Sequence, residues 1–294
     1  MTGRDVLTAP AAIALKRSRR PAGLARAVTF VLLAAGAAVM LFPFLWMLST
    51  SLKPSTAVLT MPPQLVPAEP TLQPYADVAA TFPLVRVLLN SVFVAVLTTA
   101  GQLLISAMAG YAFARLPFRG RGLLFTLYLS TLMVPFAVTM TPLFIVVKYL
   151  GWTDSYAGLI VPGLFSAFGT YFMRQYFLGL PRELEEAATL DGATATRTFF
   201  SVMLPQAGPA LATMGVLGLM ASWNSFLWPL LIVTNPNLMT LPLALSTLQG
   251  LHPGQTEWNL VMAGAVVSVV PMILVFLLAQ KWVVAGMANA GLKG

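Results

Sequence analysis

Residues 87–114 read VLLNSVFVAVLTTAGQLLISAMAGYAFA, and this stretch contains no Asp, Glu, Lys or Arg. A helix rises about 1.5 Å per residue and the hydrocarbon core of a bilayer is about 30 Å thick, so about 20 apolar residues cross it. The stretch therefore predicts a membrane-spanning helix. Comparable charge-free runs occupy residues 27–52, 122–147, 155–173, 198–256 and 258–280.

These runs predict six spans, because TNPN at 234–237 and the Pro- and Gly-containing stretch after it divide the longest run. Inside a bilayer every backbone N–H and C=O is paired within the protein, and the runs lack the alternating polarity of barrel strands. We expect an all-α polytopic membrane protein. The predicted spans lie at about 25–50, 87–113, 122–147, 157–178, 209–232 and 261–282.

The composition supports a membrane protein, because 58% of the residues are hydrophobic and only 9% are charged. Soluble domains average about 25% charged residues. The basic start at 1–23 forms a tail before the first span, and residues 24–85 hold that span and a proline-rich external segment. Residues 86–282 form the core with spans two to six, and 283–294 form a C-terminal tail.

The distribution of the basic residues predicts the orientation. Only Lys53, Arg86 and Lys148, of 17 lysines and arginines, would face the side opposite the N-terminus. Cytoplasmic loops are enriched in Lys and Arg, so both termini are expected in the cytoplasm, and this placement does not favour nucleic-acid binding. The residues on the N-terminal side are Arg4, Lys16, Arg17, Arg19, Arg20, Arg26, Arg115, Arg119, Arg121, Arg174, Arg182, Arg197, Lys281 and Lys293.

Several kinds of chemistry find no support in the sequence. There is no cysteine, and the single histidine, His252, has no carboxylate cluster beside it, so no metal site is predicted. A G-x-x-x-x-G-K-[ST] phosphate-binding loop is absent, and no catalytic residue is assigned. The charge-free runs lack the buried acids of ion-coupled carriers. Energy for transport would then come from a partner, or transport would be passive.

The cytoplasmic loop at 179–208, GLPRELEEAATLDGATATRTFFSVMLPQAG, has the sequence of a short exposed helix. Pro181 suits a first turn, and Gly192 suits a left-handed C-cap. A second helix is expected at about 194–203, with Pro205 breaking it. Two interpretations of the loop at 179–208 are open. It is a capped surface helix between two spans, or it is a rigid knob that inserts into a cleft of another subunit. The acids Glu183, Glu185 and Glu186 lie near the positive end of the helix dipole, and the face expected to be shared contains Leu184, Ala187, Ala188 and Asp191.

The loop sequence EEAATLDGA at 185–193, followed by a Phe-containing helix and Leu204–Pro205, resembles the EAA loop of permease subunits of bacterial ABC importers. Other stretches that resemble this family are NSVFVAV at 90–96, YAFARLPFRGR at 111–121, YFMRQYFLGLPRELEEAA at 171–188, WNSFLWPL at 223–230 and GMANAGLKG at 286–294. The chain is most similar to the carbohydrate-uptake subfamily and its maltose-type second permease subunit. The long N-terminal tail departs from that pattern.

The resemblance implies the type I ABC importer permease fold in a bacterial inner membrane. It also implies a complex with two copies of an ABC ATPase, a second homologous permease and an extracytoplasmic solute-binding protein. This chain would bind no cofactor, and ATP and Mg would be bound by the ATPase. The external loop at about 235–257 would enter the cleft of the binding protein.

The family also implies residue roles. The ATPase-coupling residues would be Glu183, Glu186, Ala187, Ala188, Asp191, Gly192, Leu204 and Pro205. The tail residues that contact the ATPase would be Gly291, Lys293 and Gly294.

Sugars are bound by hydrogen-bonding side chains and aromatic faces, and polar residues in the spans could supply both. Asn224 is the preferred ligand, because a buried amide needs partners. The same residue types also pack membrane helices together, and the sister subunit could supply most contacts. The substrate-path residues predicted are Asn90, Gln102, Ser222, Asn224 and Trp228.

The leading hypothesis is a permease subunit of a carbohydrate importer. Alternatives are an importer permease for an amino acid, a phosphate ester or a peptide, a stand-alone carrier or channel, or a membrane scaffold that docks a soluble protein.

Overall fold

The computed structural model describes residues 22–249 and 256–291, and this part of the chain is helical without a β-strand. The helices are α1 (Ala22–Ser51), α2 (Gln73–Thr81), α3 (Leu84–Arg115), α4 (Arg121–Ser130), α5 (Phe136–Tyr149), α6 (Tyr156–Ile160), α7 (Ala167–Leu178), α8 (Glu183–Leu190), α9 (Ala195–Thr198), α10 (Leu204–Gln206), α11 (Gly208–Trp223), α12 (Leu227–Ile232), α13 (Leu241–Thr247) and α14 (Trp258–Gly291). Single 3-10 turns lie at Ser55–Ala57, Thr131–Met133, Val161–Leu164 and Pro236–Leu238, and a π-helical turn lies at Phe199–Met203.

The chain divides into two units, Met1–Trp46 and Met47–Gly294. The described part of the first unit is the larger part of α1, and all the other helices belong to the second unit. The four-segment division expected from the sequence stays a prediction.

The all-α membrane fold is confirmed. Three helices among the described residues are long and apolar enough to span a bilayer, at Ala25–Ser51, Leu84–Arg115 and Trp258–Gln280. Three further candidates are pairs of helices bent at a short break, by 103°, 42° and 76°. The number of spans is six if each bent pair crosses the bilayer as one span, and three if none does. The six-span topology therefore stays a prediction.

The predicted third span is sharply bent, because α4 and α5 meet at 103° on either side of Val134 and Pro135. Pro135 immediately precedes α5, and Val134 has the extended conformation that a following proline imposes. The second proline in this run, Pro142, lies inside α5.

The predicted span at 209–232 is not one continuous helix. Helix α11 ends at Trp223, and α12 begins at Leu227 after a short break. Pro229 explains the break, since its ring would clash with the carbonyl four residues earlier, at Ser225, in a continuous helix. The proline is accommodated in the first turn of a new helix instead.

The expected break at Pro205 is also displaced. Helical turns continue through α10, and the 76° bend falls between Gln206 and Gly208. Before the proline, the Leu204 N–H donates to the carbonyl of Phe199, five residues back, as in a π-helical turn. This wider turn adapts the backbone to Pro205, which has no N–H to donate.

Helix α3 forms the centre of the second unit and packs mainly against α7 and α11. The crossing with α7 is close, since a Cβ on Gly110 would lie 2.7 Å from the Met173 Cβ and 2.8 Å from the Arg174 nitrogen. A side chain at this position would therefore push the two helices apart. Packing in the hydrocarbon relies on such small residues, because lipid provides little hydrophobic drive between helices.

The proline-rich segment at 53–85 is built into the fold. Helix α2 packs against α14, with Val78 fully buried beside Leu260 and Ala263. Lys53 is only 1% exposed, and its ammonium donates to the Gln64 carbonyl at 2.5 Å. The packing of α2 fixes the segment against the start of α14, and the Lys53 bond links two parts of the segment itself.

Candidate functional site

Helix α8 and its glycine cap lie where the sequence predicts them, but Pro181, expected in the first turn, precedes the helix. It runs from Glu183 to Leu190, and Gly192 is in the left-handed region at φ +75°. The Ala193 N–H donates to the Ala188 carbonyl, and the Gly192 N–H donates to the Thr189 carbonyl. This pair of bonds is a Schellman cap, which ends the helix sharply and turns the chain toward α9.

The two sides of α8 have different surroundings. Leu184 and Ala188 face inward, where Leu184 packs on a core cluster and Ala188 is 7% exposed. The outer face, which we define as Glu183, Glu186, Ala187 and Leu190, is exposed to solvent, and Leu190 is 89% exposed. These residues follow the i, i+3, i+4, i+7 pattern of one helix stripe.

The predicted shared face of α8 is divided in the structure, because Leu184 and Ala188 pack inward while Ala187 and Asp191 are exposed. The coupling role of Ala188 stays a prediction. Ala187, Asp191 and Gly192 are exposed as expected. Leu204 is half-buried against the same core cluster, and Pro205 is exposed beyond it.

A buried ion pair fixes α8 to the body of the protein. Arg115, the last residue of α3, lies 3.4 Å from Glu185, and their side chains are 6% and 20% exposed. The same guanidinium donates to the carbonyls of Phe177 and Leu180. One side chain thus links α3, the end of α7 and α8.

An aromatic cluster lies under this ion pair. The Tyr111 ring is 5.6 Å from Phe177 and 5.2 Å from Phe199, between ring centroids. Met173 and Met203 fill the rest of the cluster and have no exposed surface. This packing joins α3, α7 and the π-helical turn.

The predicted C-terminal contact residues are only partly described. Gly291 is the last residue of α14. Lys293 and Gly294 lie outside the described residues.

A cavity of about 230 Å³ lies between α3, α5, α11 and α12. Its wall combines apolar, aromatic and hydrogen-bonding side chains, and it contains three of the five predicted substrate-path residues. The residues that line it are Val94, Thr98, Gln102, Phe136, Leu143, Leu159, Pro162, Gly163, Gly218, Ala221, Ser222, Ser225, Trp228, Pro229 and Thr240.

Two hydroxyl groups of this wall have no partner. The Oγ1 atoms of Thr98 and Thr240 are buried, and neither forms a hydrogen bond within the described part of the chain. A buried polar atom without a partner costs about 1–3 kcal/mol, so these groups favour a water or a ligand in the cavity. The Trp228 N–H is already used, since it donates to the Gly158 carbonyl at 2.9 Å. Trp228 therefore offers an apolar ring rather than a donor.

Asn90 and Asn224 do not line the cavity. The Asn90 amide donates to the carbonyls of Asn237 and Met239, and its oxygen accepts from the Tyr156 hydroxyl at 2.7 Å. The polar groups of the Asn90 side chain are therefore used to hold the segment before α13 against α3. Asn224 is exposed at the end of α11 and donates back to the Met220 carbonyl at 2.8 Å.

Asp154 connects two loops and was not singled out by its sequence. Its carboxylate accepts from the Thr234 hydroxyl and from the backbone N–H groups of Thr234 and Asn235, the last two at 2.7 Å. The residue adopts a left-handed conformation, φ 50°, which Asp tolerates better than most residues. These hydrogen bonds, first that from the Thr234 hydroxyl, lower the pKa of the Asp154 carboxyl below its ordinary value.

Stability is expected to depend on pH through Asp154. Because the pKa is lower in the folded protein, the stabilisation is present above the unfolded-state pKa and is lost as pH falls through the folded-state pKa. Asp154→Asn should therefore lower the thermal unfolding midpoint at neutral pH, and the difference from wild type should shrink in acid. Unfolding in detergent, followed at several pH values, measures this. Asp191→Asn, at an exposed carboxylate, is the control, and equal midpoints for Asp154→Asn and wild type at neutral pH would contradict the prediction.

The family model and the most similar relatives all describe membrane components of transport systems. Residues 102–289 match the family described as "Binding-protein-dependent transport system inner membrane component". The chain is 37% identical to the arabinooligosaccharides transport system permease protein AraQ of Halalkalibacterium halodurans, over 87% of this chain and 92% of that protein. It is 35% identical to the trehalose/maltose transport system permease protein MalG of Thermococcus litoralis, over 90% and 97%.

A relative that transports a different solute also matches. The sn-glycerol-3-phosphate transport system permease protein UgpE of Pectobacterium atrosepticum is 39% identical, over 71% of this chain and 75% of that protein. Among solved structures, a bacterial ABC transporter involved in the import of the acidic polysaccharide alginate has a chain that is similar with a TM-score of 0.79. The identity there is 26%, over 89% of this chain and 97% of that chain.

Proposed function

Because the chain belongs to the family of binding-protein-dependent transport system inner membrane components, we propose that its substrate is a neutral carbohydrate. The chain is a permease subunit of an ABC importer. Relatives named for arabinooligosaccharide and trehalose/maltose transport support the carbohydrate class. The cavity between α3, α5, α11 and α12 is the part of the substrate path that this chain contributes.

The observation that carries this proposal is the composition of the cavity wall. Gln102, Ser222 and the two unpaired threonine hydroxyls supply donors and acceptors for sugar hydroxyls. Trp228 and Phe136 pack edge to face, with centroids 6.3 Å apart, and supply apolar surface for a sugar ring. Small-molecule sites commonly combine a mostly apolar wall with a few placed polar groups.

A phosphate ester is the main alternative, since a glycerol-3-phosphate permease is among the relatives. A phosphate group is normally bound by Arg, Lys or clustered backbone N–H groups. No Lys or Arg is among the residues that line this cavity in the described part of the chain. The neutral class is therefore favoured for the contacts that this chain makes.

The proposed partners are two ABC ATPase subunits, which hold ATP and Mg, a second permease and an extracytoplasmic solute-binding protein. The outer face of α8, with Asp191 and the Gly192 cap, docks on an ATPase, and the tail at Gly291, Lys293 and Gly294 approaches it. The proposed orientation places both termini in the cytoplasm and the loop between α12 and α14 outside a bacterial inner membrane. ATP-driven movement of α8 would tilt α3, α7 and α11 through the aromatic cluster.

Filling the cavity should block transport. Ser222→Phe places a ring in a space of about 230 Å³, and we expect uptake of the carbohydrate to fall at least tenfold in vesicles that contain the assembled importer. ATP hydrolysis stimulated by the binding protein should persist, because Ser222 is remote from α8 in sequence and packing. Ser130→Phe, at an exposed serine that does not line the cavity, is the control. Wild-type uptake by Ser222→Phe would exclude this cavity from the path.

A further inference from the structure

A second cavity, of about 620 Å³, lies between the proline-rich segment and the start of α14. It shares no residue with the proposed substrate cavity. In the proposed orientation it faces the extracytoplasmic side. The residues that line it are Pro54, Ser55, Glu69, Pro70, Thr71, Gln73, Pro74, Asp77, Glu257, Asn259 and Leu260.

The wall of this cavity carries three carboxylates, from Glu69, Asp77 and Glu257. One oxygen of Asp77 accepts from the Gln73 amide at 2.8 Å. Within the described residues, none of the three forms an ion pair. Three like charges around one cavity create a negative potential that favours a cationic group.

Asn259 adds an independent sign of a missing donor. Asn259 is only 4% exposed, and its amide group donates to the Lys53 carbonyl at 3.3 Å. Its other polar atom, Oδ1, is buried in the cavity wall without a hydrogen-bond partner in the described part of the chain. Lys53 itself does not line the cavity, and its ammonium donates to the Gln64 carbonyl. The charged groups of this cavity wall are therefore all acceptors, and the Asn259 oxygen is a further acceptor without a partner in the described residues.

The spacing of the acids argues against a metal ion as the occupant. No group of three His, Asp or Glu side chains among the described residues is close enough to hold a metal. A cavity of about 620 Å³ is also far larger than a metal ion needs. A long cationic side chain would reach both the carboxylates and the Asn259 oxygen.

The surroundings of the cavity are those of a protein interface. An adjoining cavity of about 420 Å³ shares Ser55, Glu257 and Asn259 with it, and is also lined by Leu59 and Trp258. Leu59 is 79% exposed and Trp258 is 43% exposed. Aromatic and apolar side chains beside a charged pocket are typical of protein–protein contacts.

We propose that this acid-lined cavity receives a lysine or arginine side chain of the solute-binding protein. This inference rests on the proposed function and orientation, and it assigns the proline-rich segment as a docking surface. The apolar rim would contact the partner's surface around that side chain. Complementary charges across an interface raise the association rate and make it depend on salt.

The test measures binding of the solute-binding protein to the assembled importer in lipid nanodiscs. We expect the double variant Glu69→Gln/Glu257→Gln to weaken binding at least tenfold at low salt and to flatten its salt dependence. The matched control, Glu69→Asp/Glu257→Asp, keeps both charges. Its affinity for the solute-binding protein should stay within about threefold of wild type, which is less than 1.4 kcal/mol because that energy corresponds to a tenfold change. Gel filtration checks that each variant assembles.

The outcomes separate this inference from the proposed function. If the wild-type complex shows no ATP hydrolysis stimulated by a binding protein, the proposed function fails. If that stimulation is present and the double variant binds the partner with wild-type affinity and salt dependence, the cavity is not the docking site. Tight binding of Ca²⁺ alone to the wild type, lost in the double variant with partner affinity unchanged, would also overturn the inference, because the cavity would then hold a metal.

Discussion

Replacing Arg115 with leucine is expected to destabilise the protein by about 3 kcal/mol or more and to abolish coupled transport. The substitution leaves Glu185, 20% exposed, without its cation and removes hydrogen bonds to the carbonyls of Phe177 and Leu180. Removing one partner of a buried ion pair is costly because the other charge stays buried and unpaired. Helix α8 would then lose its attachment to α3.

Thermal unfolding of the purified complex and ATP-driven uptake in vesicles measure the two effects. Arg119→Leu is the matched control, because Arg119 is exposed in the loop before α4 and forms no ion pair within the described residues. Arg115→Lys should be intermediate, since a lysine keeps the charge but cannot donate to several acceptors in one plane. A wild-type unfolding midpoint for Arg115→Leu would mean that the ion pair does not fix α8.

The second large effect is expected on the outer face of α8. Leu190→Asp should lower carbohydrate uptake and ATPase stimulation at least tenfold, because it places a charge where an apolar side chain, 89% exposed, would be covered by the ATPase. Glu186→Lys should act in the same direction by reversing a charge on the same face. Neither change should shift the unfolding midpoint, since both side chains are exposed in this subunit.

Recovery of the ATPase with the tagged subunit, measured beside uptake, shows whether docking is lost. Thr196→Asp introduces the same charge at an exposed position in α9 and should leave uptake within about twofold of wild type. If Leu190→Asp and Glu186→Lys both transport normally, the outer face of α8 is not the coupling surface.

Local features of the candidate site could be predicted from the sequence because they depend on neighbours in the chain. The approximate bounds of α8 and its glycine cap follow from the acidic first turn and Gly192, which lie within about ten residues of each other. The inward and outward faces could not be assigned that way. In a helix of this length, either of two faces could pack against the protein as judged from the sequence. The structure shows that the face with Leu184 and Ala188 is the one that packs on the core.

The same distinction applies to polar residues. Asn90 and Asn224 have equal side chains in similar apolar surroundings, and both were predicted to bind substrate. Their roles differ because the carbonyls of Asn237 and Met239 lie beside the first, about 150 residues away in the chain, while the second faces outward. The contacts of Glu185 with Arg115 and of Asp154 with Thr234 were missed for the same reason, since these partners come from distant segments.

The sequence by itself determined that this chain is an all-α membrane protein, because long charge-free runs have few other stable states than helices in lipid. It also determined the family, through the EAA loop and the matching stretches around it. Only the tertiary structure decided where the helices break, which side of α8 is free, and which polar groups meet around the two cavities. Those features depend on distances between segments far apart in the chain, and residue spacing along one helix carries no information about them.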